Sequence, residues 1–228
     1  TPTATSPLYT GSFSIAQSTV VRARSFSTSP DILPSFIETN TYFINENTSL
    51  PTVSLAGDAD LLQLFGGTQN EPIGNFEYFE SDGSFIDETV GDFDKHGNDS
   101  WAYAQRGVDF IARDDHGYKR RLEHQFFNRT QRGTFRRLIL KAAGSDNYPH
   151  QDGGAHIRDV FAQKLSEVSE LDMDERRSTF VSLFVKGQYW GVYDLREKVV
   201  DNQYTDYYYG QDYIFRDSDN YIQYIKTW

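Results

Sequence analysis

At 228 residues the chain has room for one large domain, or a domain with a small companion. A net charge of −11 without any basic block excludes a reader of nucleic-acid phosphates, and the absence of cysteine excludes a disulfide framework, a thiolate metal site and a cysteine nucleophile. No run of about 18 apolar residues is present to cross a bilayer, and 17 Phe with 15 Tyr favour a β-rich or mixed fold whose rings pack on pleated surfaces.

Thr1-Pro2-Thr3-Ala4-Thr5-Ser6 lacks the basic start and apolar centre of a signal peptide. The strand-like pattern still runs at Ile225-Lys226-Thr227-Trp228, so the chain reads as a piece of a longer protein. Residues 1–44 alternate β-branched and aromatic runs with breaks at Gly11, Ser18, Pro30 and Pro34, which predicts three or four strands of a small all-β sandwich module. Asn45-Glu46-Asn47-Thr48-Ser49 reads as a linker, and residues 45–228 as a second domain. There "LPTVSLAG" predicts a strand and "DADLLQLFGG" a helix capped by Asp58 and ended by Gly66-Gly67. "NFEYFESDGSFI" predicts a hairpin around Asp82-Gly83.

"RGVDFIAR", "YKRRLEHQFF" and "RRLILKAAG" add three extended segments, the first two separated by a turn at Asp114-Asp115-His116-Gly117. After the polar loop Gly144–Gly154, a helix places Ile157, Val160, Phe161, Leu165 and Val168 on one stripe, the spacing of a face laid on a sheet. "TFVSLFVKGQYWGVYDLREKV" predicts a hairpin turning at Lys186-Gly187. The fold class is α+β: the sandwich module, then a mostly antiparallel sheet with few helices.

Neither G-x-x-x-x-G-K-[ST] nor G-x-G-x-x-G occurs, so an ordinary P-loop, dinucleotide or protein-kinase glycine loop is excluded. "DFDKHGNDSWAY" puts Asp92, Asp94 and Gly97 at the first, third and sixth positions of a calcium loop but Tyr103 at the twelfth, and reads as a strand-to-loop turn. His96, His116, His124, His150 and His156 lack zinc-ligand spacing. Tyrosines in "YTDYYYGQDYIF" suit helix-to-sheet packing, with carbohydrate stacking as the sharper alternative. A strand-to-helix connection usually takes about 2–6 residues, so the excess length of the Gly144–Gly154 loop points to a site.

Three stretches, "RRLILKAAGSDN", "GAHIRDVFAQKL" and "FVSLFVKGQYWGVYDLREKV", resemble the CotH kinase family, an atypical kinase-like group of secreted and surface proteins. "LPTVSLAGDADLL" and "YAQRGVDFIARDDHGY" resemble its N-terminal part, and the likeness covers roughly residues 50–202. "YTGSFSIAQSTVVRARSF" with "PSFIETNTYFI" resembles the C-terminal β-module of chitobiase and hexosaminidase-type secreted proteins, lacking its first strands.

The first resemblance implies transfer of the ATP γ-phosphate to protein Ser or Thr with Mg²⁺, in a secreted or surface bacterial protein. It implies nucleotide-binding roles for Lys141 at its strand end, Arg158 at the helix start, Glu197 orienting either cation, Arg106, Asp146 and Asp159. Catalytic residues stay unassigned, and no metal ligand is assigned: the family's aromatic-Asp-x-Asp motif follows the glutamate at a greater distance than Asp217 and Asp219, which read as a turn. Arg106 and Gly107 stand where the family carries lysine and serine, keeping the charge but changing its reach. Each residue has a structural alternative: Arg158-Asp159 as an exposed first-turn pair, Lys141 as a solvated strand end, Glu197 paired with Lys198 or Arg196, Asp146 as an Asx turn. The rival reading is a non-catalytic extracellular structural, adhesive or carbohydrate-associated protein that keeps the fold; in either case the partners are a protein substrate or surface partners, with no nucleic acid and no membrane span.

Overall fold

The computed structural model describes residues 1–147, 154–171, 173, 175–211, 215–216 and 222–223. Asp217, Asp219, His150 and the loop centre at residues 148–153 lie outside them, so the turn assigned to the two aspartates is not described. No helix among the described residues is long and apolar enough to cross a membrane.

Seven strands close into a barrel: β3 (Thr52–Gly57), β4 (Ile73–Phe79), β5 (Phe85–His96), β6 (Gly107–Ala112), β9 (Arg137–Lys141), β10 (Ser178–Val185) and β11 (Gln188–Glu197). The order is β10-β11-β9-β6-β5-β4-β3, and every pair is antiparallel except the closing one, where β10 runs parallel to β3 with Ser182 beside Thr52. Short strands β1 (Thr19–Ala23) and β2 (Glu38–Tyr42) pair with each other, as do β7 (Leu122–Glu123) with β8 (Thr134–Phe135) and β12 (Phe215–Arg216) with β13 (Ile222–Gln223). Helices α1 (Ala59–Phe65), α2 (Arg158–Val168) and α3 (Asn202–Tyr209) complete the described residues, a mostly antiparallel β architecture with few helices.

Period-two alternation fills the barrel. Val108, Phe110 and Ala112 of β6, Leu138 and Leu140 of β9, and Tyr193 and Leu195 of β11 all point inward and are buried. Phe76, Phe93 and Phe110 stack at 4.9–5.0 Å between centroids, and each fully buried ring or branched side chain contributes about 1.5–3 kcal/mol. Lys186 and Gly187, both at positive φ, make the two-residue turn between β10 and β11 that the Lys186-Gly187 dipeptide predicts, while Gly83, also at positive φ, turns the longer connection of residues 80–84 between β4 and β5.

Three expectations change. Residues 1–44 form one strand pair where three or four strands were expected: Leu8, Tyr9 and Phe13 stay exposed, because strand propensity without a pairing edge makes no strand. The pair β1–β2 packs on the barrel, through Phe43 against Phe79 and Phe184 and through Thr41 donating its backbone N–H to Glu77 at 2.9 Å. Asp58 does precede α1, but its carboxylate bonds Arg22 at 2.8 Å and makes no side-chain cap. The stripe of α2 is not laid on the sheet: Ile157, Phe161, Leu165 and Val168 are all about half exposed or more. The reason is the outer face of β9 and β11, which presents Lys141, Asp194 and Arg196 and so receives the polar side of the helix.

Candidate functional site

The strand register explains how a cleft arises beside α2. Because Val108, Leu140 and Leu195 face inward, their neighbours Gly107, Lys141 and Asp194 face outward. His96 of β5 pairs with Gly107, Val108 pairs with Leu140, and Lys141 pairs with Asp194, so His96, Gly107, Lys141 and Asp194 form one outward row across four strands. Gly107 contributes no side chain to that row, and a gap opens between His96 and Lys141. A Cβ added there would meet the His96 carbonyl at 3.1 Å and the Leu140 carbonyl at 3.2 Å.

A cavity of about 350 Å³ occupies this gap, walled by His96, Ser100, Lys141, Asp146, Arg158 and Asp159. Its roof is the β5–β6 connection, which carries a 3-10 turn (Asp99–Ala102). Trp101 anchors that connection: its indole N–H donates to the Gly107 carbonyl at 2.9 Å, and Lys95 lies over its ring at 5.5 Å.

Four of the six expected residues meet here. Lys141 and Asp159 form an ion pair from strand to helix. Arg196, almost fully buried, donates to Asp159 at 2.6 Å and also to Asp194. Burial pushes the Asp159 carboxyl up, but Lys141 and Arg196 outweigh it and bring its pKa to about 2. Asp146 accepts the backbone N–H of Arg158 at 2.8 Å and that of Ala155 at 3.0 Å, and takes the Arg158 Nε at 2.9 Å. Those backbone donors, with the Arg158 charge, hold its carboxyl below the ordinary range. It therefore fixes the start of α2 in the manner of a cap supplied by the preceding loop, which is the local role foreseen for a turn-forming aspartate extended to the helix itself.

The other two are placed elsewhere. The Arg106 guanidinium donates to the carbonyls of Trp101 at 3.0 Å, Phe65 at 3.0 Å and Ala104 at 3.2 Å, tying the roof to the end of α1 instead of facing the cavity. Glu197 shares its side of β11 with Tyr193 and Leu195 and is fully buried. There it accepts from Arg132 at 3.0 Å and from the Tyr208 hydroxyl at 3.1 Å, so it orients neither Lys141 nor Arg158. The tyrosines of α3 are packing groups in part: Tyr204 is buried, and Tyr208 bonds Thr130 and Glu197, while Tyr213 lies outside the described residues.

Sequence reasoning missed His96, Gly107, Asp194 and Arg196. The outward alternation of "YDLRE" against Tyr193 and Leu195 was available for the last two; nothing local signalled His96. Asp92 and Asp94 lie within β5, and Asp92 pairs with Arg113 at 2.6 Å, which leaves no calcium loop there. Among the described residues no group of three or more potential ligands gathers to hold a metal.

The donor set suits an anion. Lys141 and Arg158 line the cavity beside a floor that Gly107 keeps low, so the groups present fit the phosphates of a nucleotide, while both carboxylates on the walls are already engaged with cations. The family model described as CotH kinase protein matches residues 93–224, more than half of the chain. The match begins within β5 and does not reach residues 1–44, and it spans the cavity, α2, the β10–β11 hairpin and α3. No curated protein matches the sequence.

Proposed function

Because the chain belongs to the CotH kinase family, we propose that its cavity beside α2 receives the phosphates of ATP and that the protein transfers the γ-phosphate to Ser or Thr of a protein substrate. One observation carries this reading: a strand lysine, Lys141, is ion-paired to an acidic residue, Asp159, in the first turn of the adjacent helix, on the wall of the glycine-floored cleft. Protein kinases use a strand lysine and a helix carboxylate in this relation to hold the nucleotide phosphates. Arg158 adds a second cation, and Asp146 positions it through the helix start. When bound, Mg²⁺ would neutralise charge between the phosphates; Asp146 and Asp159 are the wall carboxylates nearest to hand, and both would have to exchange a cation for it. A secreted or surface location belongs to the same proposal and is supported by the family alone.

That engagement of both wall carboxylates favours a second reading, a non-catalytic extracellular protein that keeps the fold. Titration calorimetry with ATP, run with and without Mg²⁺, tests the first. Micromolar binding by the wild type, weakened at least ten-fold in Lys141→Ala, is the expected result; absence of binding by the wild type would leave the scaffold reading in place.

A further inference from the structure

Arg196 has no part in the reading so far, yet it meets the same atom as Lys141. The Lys141 ammonium and Arg196 Nη1 both donate to Oδ2 of Asp159, the arginine at 2.6 Å. Strand register sets this up: Asp194 stands opposite Lys141 and Arg196 opposite Ile139, so the three polar side chains leave the same outer side of β9 and β11. The two cations are held differently. The Arg196 side chain is 1% exposed, and the rest of its fork is fixed by the buried Asp194, which accepts from Nε at 2.6 Å and from Nη2. Lys141 is 28% exposed and, with Asp159, walls the cleft. Arg196 does not reach the cleft; it borders a separate space of about 20 Å³ among α2, β9 and β11.

We infer that Arg196 is a positioning residue: it keeps Asp159 paired, and so frees Lys141 to exchange that carboxylate for a phosphate of the nucleotide. The inference rests on the nucleotide reading and deepens it. Had Asp159 only Lys141, releasing the ammonium to a ligand would strand a half-buried negative charge. With Arg196 on the same oxygen, the carboxylate keeps a fixed cation throughout the exchange. A guanidinium is suited to this role because its planar fork serves two acceptors at once, Asp194 from one edge and Asp159 from the remaining nitrogen. Lysine at position 196 would keep the positive charge, but a point charge on a buried stem serves Asp194 and leaves Asp159 to Lys141 alone.

Calorimetric titration of the full chain with inorganic tripolyphosphate, and separately with ATP, both without Mg²⁺, tests this in five proteins: wild type, Arg196→Lys, Asp159→Asn, the double variant and Lys141→Ala. Arg196→Lys is expected to bind roughly ten-fold more weakly than the wild type, although the net charge is unchanged. Asp159→Asn, with no carboxylate left to retain Lys141, should bind about three-fold more tightly, and the double variant should match it. That rescue separates the role from a strut, since a strut broken at either end would weaken binding in all three. Asp159→Asn lies on a partly exposed side chain and carries the test by itself should Arg196→Lys not fold. If Lys141→Ala loses binding while Arg196→Lys keeps the wild-type affinity, the nucleotide reading survives and the role of Arg196 is overturned; a ten-fold loss in Asp159→Asn overturns it equally. If the wild type binds neither ligand, both fall.

Discussion

Two ion clusters flank β9 and β11, and they are built from similar residues to opposite ends. The outer one joins Lys141, Asp159, Arg196 and Asp194, and its Asp159 side chain is 43% exposed. The inner one joins Arg132, Glu197 and Asp201 behind α3, with Arg132 at 2% and Glu197 at 0%. Arg177 lies over the Tyr208 ring at 4.8 Å and helps to seal it, and burial beside Glu197 pushes the Tyr208 hydroxyl up to about 12. A sealed pair cannot exchange its partner for a ligand, whereas a half-open one can. The glutamate that the sequence offered as an organiser of phosphate-binding cations is thus the one locked away, and the aspartate in the first helical turn, three residues after His156 at positive φ, is the one at the cleft.

The contrast is sharpest when each cluster is cut. Glu197→Ala would leave the buried Arg132 with Asp201 at 3.6 Å as its remaining carboxylate, and breaking a buried pair in this way typically costs about 3–5 kcal/mol. The urea midpoint should fall accordingly, and a loss below about 1 kcal/mol would show that the inner cluster is not sealed.

Glu77 offers an intermediate case, a side chain buried at 1% exposure beneath β2 that accepts from the Thr41 backbone N–H and hydroxyl, the hydroxyl also sharing a hydrogen bond with Ser54. Burial, with Glu88 and Glu38 nearby, pushes its pKa up to about 7 against the Thr41 hydrogen bonds. Since the folded state holds this proton more tightly than the unfolded chain, stability is full below about pH 4 and declines as pH rises through 7. Glu77→Gln is expected to gain on the order of 1–2 kcal/mol over the wild type at pH 8 and little at pH 5. Parallel pH profiles of the two proteins would refute the assignment.

The outer cluster should respond least. Asp159→Ala is expected to cost under about 1 kcal/mol at pH 7, because the carboxylate is partly solvated and Arg196 keeps Asp194. Its depressed pKa sets the opposite sign from Glu77: the contribution is present above about pH 4 and vanishes as pH falls through about 2. Thermal unfolding at pH 7 and pH 3 checks both the size and the sign.

These clusters also mark where local sequence reasoning stopped. Turns were legible, since Lys186-Gly187 and Asp82-Gly83 carry their own backbone chemistry, and so were most strands, through alternation. Four cleft residues were legible as a polar strand end, a loop aspartate and a helix start: Lys141, Asp146, Arg158 and Asp159. Orientation across elements was harder. The spacing of Ile157, Phe161, Leu165 and Val168 establishes that they share a face, but which side of the helix meets the barrel was decided by Lys141, Asp194 and Arg196 on strands distant in sequence. Glu197 was misplaced although its two-residue offset from Leu195 already put it on the inward side. His96 and Gly107 became a site only through strand register, which no short motif encodes.

The parallel pairing of β3 with β10 joins residues 52–55 to residues 182–185. During synthesis the first of these strands emerges long before its partner exists, so the edge of β3 that β10 will occupy waits unpaired while β4, β5, β6 and β9 assemble along its other side. Closure is the contact of highest sequence separation in the barrel, the kind that forms slowly because loop entropy must be overcome first. Until then the nascent protein is an open sheet with a bare margin, and it is in that interval, not in the finished barrel, that it is most exposed to pairing with a neighbouring chain.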